Sequence, residues 1–390
     1  MARKLLDLLR SVTPLNAAHK EVVQEIYTFL DGDQRKRCVQ LLRQKSIAVF
    51  REHLPESIVK GSYPQFNVLK EEKNLLTYIA GINKIIKQKA IEQFHATLSV
   101  RAHDLIIERL APHLRGYEPI KEAVAIQLFA TENFHILLLG DPGTGKTDIL
   151  RAASDLAPIS SYGLGSGMSG VGLSATRIGK ELIKGLLPSA HEGICCIDEL
   201  NLLRPEDRGS LLNAMEKGFI SYDKGRSHIK IPARVNVLAT ANPKGDRFVS
   251  KKLDMTRRQM PFDEALLTRF NLIFIVRRPD VAQFLQISKR ILEGTKTRNR
   301  PEETQMLQSY ITHAKNLEVT MPKEASETIM RYVEQLKRKE GRLLLEVNPR
   351  IVHGIINMTK ARARMHLRSE ATQEDVNAAI ALIEHATTNI

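Results

Sequence analysis

An α/β fold, with a parallel sheet covered by helices, is predicted by three features of this 390-residue chain. Four short apolar runs, His135 to Leu139, Gly193 to Ile197, Val235 to Ala241 and Leu272 to Val276, read as buried strands. Segments of helical periodicity separate them, and buried strands that alternate with helices require a sheet covered on both faces. The third feature is a glycine-rich turn, Gly140 to Thr147, set where the first of these strands gives way to a helix. The chain divides accordingly into a mainly helical region over 1–100, an α/β core over 101–285 and a helical C-terminal lid over 286–390. In the first region apolar residues recur at helical spacing and are broken by Asp31-Gly32-Asp33 and Gly61-Ser62-Tyr63-Pro64. In the last, Pro322 and Asn348-Pro349 mark helix starts or breaks.

Apolar residues at 43% and charged residues at 26% match an ordinary folded chain, so disorder is not the default expectation. No run approaches the roughly 18 apolar residues of a membrane span. The first ten residues are amphipathic and carry no small-residue cleavage site, so no membrane association and a cytoplasmic or nuclear location are expected. Three cysteines, none with zinc-ligand spacing, predict neither a disulfide framework nor a zinc site, and Cys195-Cys196 reads as small buried side chains. A net charge of +14 and a pI of about 9.6 suit a partner made of phosphates; a solvated basic surface is the plainer reading.

The chemistry starts at the turn. Gly140, Asp141, Pro142, Gly143, Thr144, Gly145, Lys146, Thr147 and Asp148 match the pattern of a phosphate-binding loop, whose glycines let backbone N–H groups approach a nucleotide. Lys146 would reach the β- and γ-phosphates, and the Thr147 hydroxyl would ligate Mg²⁺. The strand Gly193 to Ile197 ends in Asp198-Glu199, at the sheet edge where α/β proteins bind ligands. Asp198 suits a Mg²⁺ contact and Glu199 polarisation of an attacking water; both also suit capping of a helix near Pro205. Asn242, at the tip of Val235 to Ala241, suits orientation of that water or a γ-phosphate contact, and Asn242-Pro243 equally starts a turn. Arg269, just before Leu272 to Val276, suits a finger reaching a neighbour's phosphate or a surface ion pair.

Taken together, Gly116 to Ala123, the loop, Gly170 to Ala175, "GICCIDEL", "LLNAMEKGFISYDKG", "ATANPKGDRF" and "LLTRFNLIFIV" resemble the AAA+ P-loop ATPase half of the minichromosome maintenance (MCM) helicases. "MPKEASETIMRYVEQL" and "NPRIVHGIINMTKARARMHLR" in the lid fit as well, so the resemblance covers about 103–386. It implies ATP and Mg²⁺ as cofactors, Lys146 and Thr147 as the Walker A pair, Asp198 and Glu199 as Walker B, and Asn242 as sensor 1. Arg269 would be the arginine finger and Arg350 the sensor 2 arginine, both acting on a neighbouring subunit of a homo-oligomeric ring, expected to be a hexamer. Two hairpins are implied too: an insertion in the second helix at Tyr162 to Ala175, and a hairpin before sensor 1 at Ile220 to Ile231. In the second, Lys224 takes the place of the pore lysine, and Lys224, Arg226 and Lys230 suit a grip on single-stranded DNA. A merely solvated hairpin is the alternative.

The chain also departs from the family pattern. Gly145-Lys146-Thr147 stands for the usual Ala-Lys-Ser, Arg269-Phe270-Asn271 for Arg-Phe-Asp, and "IDELNLL" resembles instead the magnesium-chelatase and MoxR-like branch of AAA+ proteins. Residues 1–100 are too few and too helical for the family's OB-fold tier. Two readings therefore stand: an ATP-driven DNA translocase or helicase, and an AAA+ remodeller or loader that engages a protein partner through residues 1–100.

Overall fold

The computed structural model describes residues 95–114, 116–178, 181–224, 227–250, 252–292, 301–344 and 347–388. The helices expected over 1–94 lie outside them, and 95–109 are helical. Helix α1 (Glu118–Leu128) leads into strand β1 (Ile136–Gly140), helix α2 (Lys146–Leu156) and strand β2 (Ser160–Leu164). An antiparallel hairpin follows, β3 (Ala175–Ile178) and β4 (Glu181–Lys184), then β5 (Ile194–Asp198) and helix α3 (Gly209–Lys217). A second hairpin pairs β6 (Phe219–Lys224) with β7 (Ser227–Pro232), and β8 (Asn236–Ala241) and β9 (Leu272–Val276) complete the sheet. Among the described residues, five α-helices follow: α4 (Val281–Leu292), α5 (Pro301–Lys315), α6 (Lys323–Arg338), α7 (Pro349–Met365) and α8 (Gln373–Thr388).

The sheet is parallel throughout, in the order β2-β5-β8-β1-β9. Every residue of β1, β5 and β8 is buried, which is why these strands appear in the sequence as unbroken apolar runs. Alternate side chains enter two separate cores. Ile136, Leu138, Cys196 and Phe274 pack with α1, α2 and the lid helices, while Leu137, Leu139, Cys195 and Ile273 pack with α3 and the segments around it. The two cysteines thus point to opposite faces; burial pushes the Cys195 thiol up to about 12 and the Cys196 thiol higher still, so both stay protonated.

The lid shares the first core. Tyr310 meets Phe129 edge-to-face, with ring centroids 6.0 Å apart, and its hydroxyl donates to the Met365 carbonyl at 2.6 Å. Asn348 caps α7 by accepting from the Arg350 N–H, with Pro349 in the first turn, so Asn348-Pro349 is a helix start. Among the described residues no helix is long and apolar enough to cross a membrane.

One expectation is corrected. The hairpin expected over Tyr162 to Ala175 lies at 175–184, because Ser160 to Leu164 forms an edge strand of the main sheet, paired along its whole length with β5. The hairpin before sensor 1 falls where it was expected, with β6 and β7 paired from Phe219↔Pro232 to Lys224↔Ser227.

Candidate active site

The buried strand β1 delivers the glycine-rich turn to the carboxyl edge of the sheet. Gly145 has φ of +79°, which opens the first turn of α2 and favours glycine; a Cβ there would also sit 2.6 Å from Leu114 Cδ1. Lys146, only 7% exposed, folds into the turn and donates to the Gly140 carbonyl at 2.8 Å and the Asp141 carbonyl at 2.7 Å. Burial lowers its pKa to about 8, opposed by the negative charges of Asp141, Asp198 and Glu199. An ammonium desolvated this far is poised to gain from phosphate oxygens.

The loop is braced from three sides. The Tyr117 hydroxyl donates to the Thr144 carbonyl at 2.7 Å, and the Thr144 hydroxyl donates to the Asp141 carbonyl at 2.8 Å. The Asp141 carboxylate accepts from the Phe248 N–H at 2.9 Å and the Arg278 N–H at 3.3 Å, which ties the loop to the segments after β8 and β9. Asp148 lies 3.1 Å from His113 Nε2.

Asp198 ends β5 beside this loop, 5% exposed. Its Oδ1 accepts from the Thr147 hydroxyl at 3.2 Å and from the Thr240 hydroxyl, and its Oδ2 accepts from the Tyr162 hydroxyl at 2.8 Å. The Thr240 oxygen also accepts from the Glu199 N–H at 2.9 Å, holding Glu199 in a left-handed turn with φ of +54°. Asn242 follows β8, and its N–H donates to Asn201 Oδ1 at 3.0 Å, so an asparagine of the atypical "IDELNLL" run supports the Asn242 position. Neither Asp198 nor Glu199 caps the turn at Pro205, whose N-cap position is Arg204. Tyr117 and Thr240 were given no role in the sequence, and Tyr162 was placed in the insertion; for Thr240 the available signal was the lone hydroxyl of a buried strand.

Arg269 and Arg350 lie elsewhere. β1 and β9 run parallel from Ile136↔Leu272 to Gly140↔Val276. Arg269 precedes β9, so it sits beyond the amino edge of the sheet while the glycine-rich turn leaves the carboxyl edge. Five strand residues separate the two ends, about 16 Å at the usual rise. Arg350 joins Arg269 at that edge; both pair with Glu216, at 3.0 Å and 2.6 Å. On the β6–β7 hairpin, Lys224 pairs in register with Ser227 next to the tip, Arg226 lies outside the described residues, and Lys230 Nζ stands 4.9 Å above the Phe219 ring.

A lysine buried in a glycine-rich turn, beside a threonine and a strand-end aspartate in a five-stranded parallel sheet of this order, defines a nucleotide-binding P-loop ATPase of the AAA+ class. The family model of the MCM P-loop domain matches residues 87–294, and that of the MCM AAA-lid domain matches 305–387. The chain belongs to the minichromosome maintenance family. It is 32% identical over 301 residues to the minichromosome maintenance protein MCM of Saccharolobus solfataricus, an alignment covering 71% of this chain and 43% of that protein. To DNA replication licensing factor mcm7-B of Xenopus laevis it is 30% identical over 310 residues, covering 72% and 42%. To DNA replication licensing factor MCM4 of Drosophila melanogaster it is 31% identical over 309 residues, covering 71% and 35%. The matched region spans less than half the length of these curated relatives.

Proposed function

We propose that this chain is the ATPase engine of a ring that moves along DNA, with each ATP hydrolysed between two subunits. The observation that supports a shared site is the distance between its halves. Lys146, Thr147, Asp198, Glu199 and Asn242 gather at the carboxyl edge of the sheet, whereas Arg269 and Arg350 stand at the amino edge. An arginine so placed serves a neighbour's phosphates in preference to its own. Head-to-tail contacts of this kind build a ring where their rotation closes, and the family resemblance suggests closure at six subunits.

Within that site, Lys146 binds the β- and γ-phosphates, with the loop N–H groups of Gly143 to Thr147 around them. The Thr147 hydroxyl and the Asp198 carboxylate, 3.2 Å apart, are the two hard oxygen donors that would hold Mg²⁺. Bound there, the ion would neutralise charge on the phosphates. Glu199 accepts a proton from the attacking water and Asn242 orients it. Residues 101–285 form the ATPase core and 286–390 its lid.

The choice of DNA as substrate rests on the β6–β7 hairpin, which carries Lys224, Arg226 and Lys230, and on the net charge of +14. Single-stranded DNA is expected to raise ATP turnover several-fold, with affinity falling steeply between about 50 and 200 mM salt, as phosphate contacts do. Lys224→Ala should lower the ratio of stimulated to basal turnover. A turnover indifferent to DNA at every salt concentration would shift the reading to remodelling of a protein partner engaged through residues 1–100, which the family match disfavours.

Thr240→Val tests the second layer of the site. The shapes match, but valine leaves the Glu199 N–H without its acceptor and frees Asp198 from one donor. Turnover is expected to fall about tenfold, with a stability loss of about 1–3 kcal/mol from the orphaned N–H, read by urea unfolding. Unchanged turnover would show that Asp198 and Glu199 need no help from this hydroxyl.

A further inference from the structure

Glu216 lies in the last turn of α3 and binds both arginines at once, one on each carboxylate oxygen. Arg269 Nη2 is 2.6 Å from Oε2, and Arg350 Nη2 is 3.0 Å from Oε1. Two guanidinium groups brought this close repel each other, and a carboxylate between them offsets that repulsion with two charge-assisted hydrogen bonds. The pairing holds the Glu216 carboxyl below its usual range, chiefly through the hydrogen bond from Arg269.

The three residues are fixed to a common base. The Met215 carbonyl, next to Glu216, accepts from Asn133 Nδ2 at 2.8 Å and lies 3.2 Å from His135 Nε2. The Asn133 carbonyl accepts from Asn357 Nδ2 at 3.0 Å, on the same helix as Arg350. The His135 N–H donates to Asn271 Oδ1 at 2.7 Å, two residues after Arg269. Asn271 in turn lies against Gly354 of α7, where a Cβ would come within 2.8 Å of Asn271 Nδ2, so the two arginine-bearing segments approach as closely as a glycine allows. Residues 133–135 therefore anchor all three carriers. The outer end is open: the side chains of Glu216 and Arg350 stay 42% and 44% exposed.

We propose that Glu216 is a positioning residue that holds Arg269 and Arg350 as one paired group and yields them to the phosphate oxygens of a neighbouring subunit's nucleotide. The proposal rests on the shared-site reading above. A phosphate presents the same kind of acceptor as the carboxylate, so the arginines change partner with little rearrangement, which is what a preorganised transition-state contact requires. Nothing local in the sequence distinguishes Glu216 from any other helix charge.

The test uses the full chain assembled with ATP and Mg²⁺. Glu216→Gln keeps the shape and removes the charge; it should lower kcat about tenfold and leave KM for ATP within about twofold, since the arginines act mainly in the transition state. Mixing then separates this proposal from the reading beneath it. Lys146→Ala subunits have a dead loop but intact arginines, so mixing them with Glu216→Gln subunits should raise turnover above the average of the two alone. Arg269→Ala subunits mixed with Lys146→Ala subunits form the control. Rescue in the control without rescue for Glu216→Gln overturns the role of Glu216 and leaves the shared site standing; no rescue in either overturns the shared site itself. Wild-type kcat in Glu216→Gln also overturns the proposal. Should that variant melt early, Glu216→Asp, which keeps the charge but withdraws it by one methylene, is mixed in the same way and read by the same outcomes.

Discussion

Lys146→Ala is expected to lower ATP turnover by at least about a thousandfold, the scale at which a preorganised charge on a transferring phosphoryl group acts. The reason is visible without any nucleotide. Lys146 is buried and spends its hydrogen bonds on the carbonyls of Gly140 and Asp141, at 2.8 and 2.7 Å, while desolvation brings its pKa down from 10.5 to about 8. Below about pH 8 the ammonium is charged in the native and the unfolded chain alike, and its burial penalty is present in full. Between about 8 and 10.5 the native chain gives up its proton first, the unfolded chain binds more protons, and this contribution to stability rises with pH. Triphosphate reverses the bias by favouring the charged form. Nucleotide binding near pH 9 should therefore take up a proton, seen in calorimetry as a binding heat that varies with the ionisation enthalpy of the buffer, and Lys146→Ala should abolish that dependence. The melting temperature at pH 7 should change little, because removing a buried charge offsets two lost hydrogen bonds. A variant that keeps near-normal turnover would sink the assignment of the loop.

Much of this site was readable in the sequence because its carriers are the most buried parts of the fold. β1, β5, β8 and β9 show as apolar runs, and the glycine-rich turn and Asp198-Glu199 come at their ends. β2 was missed for the opposite reason: Ser160-Ser161-Tyr162-Gly163-Leu164 is a half-buried edge strand with no apolar run, held by its ladder to β5. That omission moved the neighbouring hairpin about a dozen residues too early, since Tyr162 was assigned to the insertion when its hydroxyl contacts Asp198. Thr240 escaped notice because a single hydroxyl in a buried strand carries no periodicity, and Tyr117 because a lone aromatic between Gly116 and Glu118 belongs to no apolar run. Glu216 was hidden in another way, since its partners lie 53 and 134 residues further along the chain. Long-range pairing of that kind is set by the sheet topology and leaves no trace in local spacing.

Asp375→Ala is expected to cost about 3–5 kcal/mol of stability, the range for removing one partner from a buried ion pair. Asp375 is fully buried in the first turn of α8, where the helix dipole already favours a negative charge. Its Oδ1 accepts from Arg362 at 2.7 Å and Arg368 at 2.6 Å; its Oδ2 accepts from the N–H and the hydroxyl of Thr372, each at 2.9 Å. Alanine would leave four donors facing an apolar methyl. Arg362 would retain the exposed Glu374 at 2.8 Å and Glu122 at 4.0 Å, while Arg368 would keep the Thr372 hydroxyl at 3.0 Å, neither a replacement for a buried carboxylate. Two poorly compensated cations would then sit between α7 and α8, the helices whose packing joins the lid to β9 and α1. Arg350 opens α7, so a loosened α7 also removes one arm of the pair on Glu216. Urea unfolding should show the loss directly, and turnover should fall at temperatures where the variant remains mostly folded. A cost below about 1 kcal/mol would mean that water reaches Arg362 and Arg368 and that the lid is held by its apolar core alone.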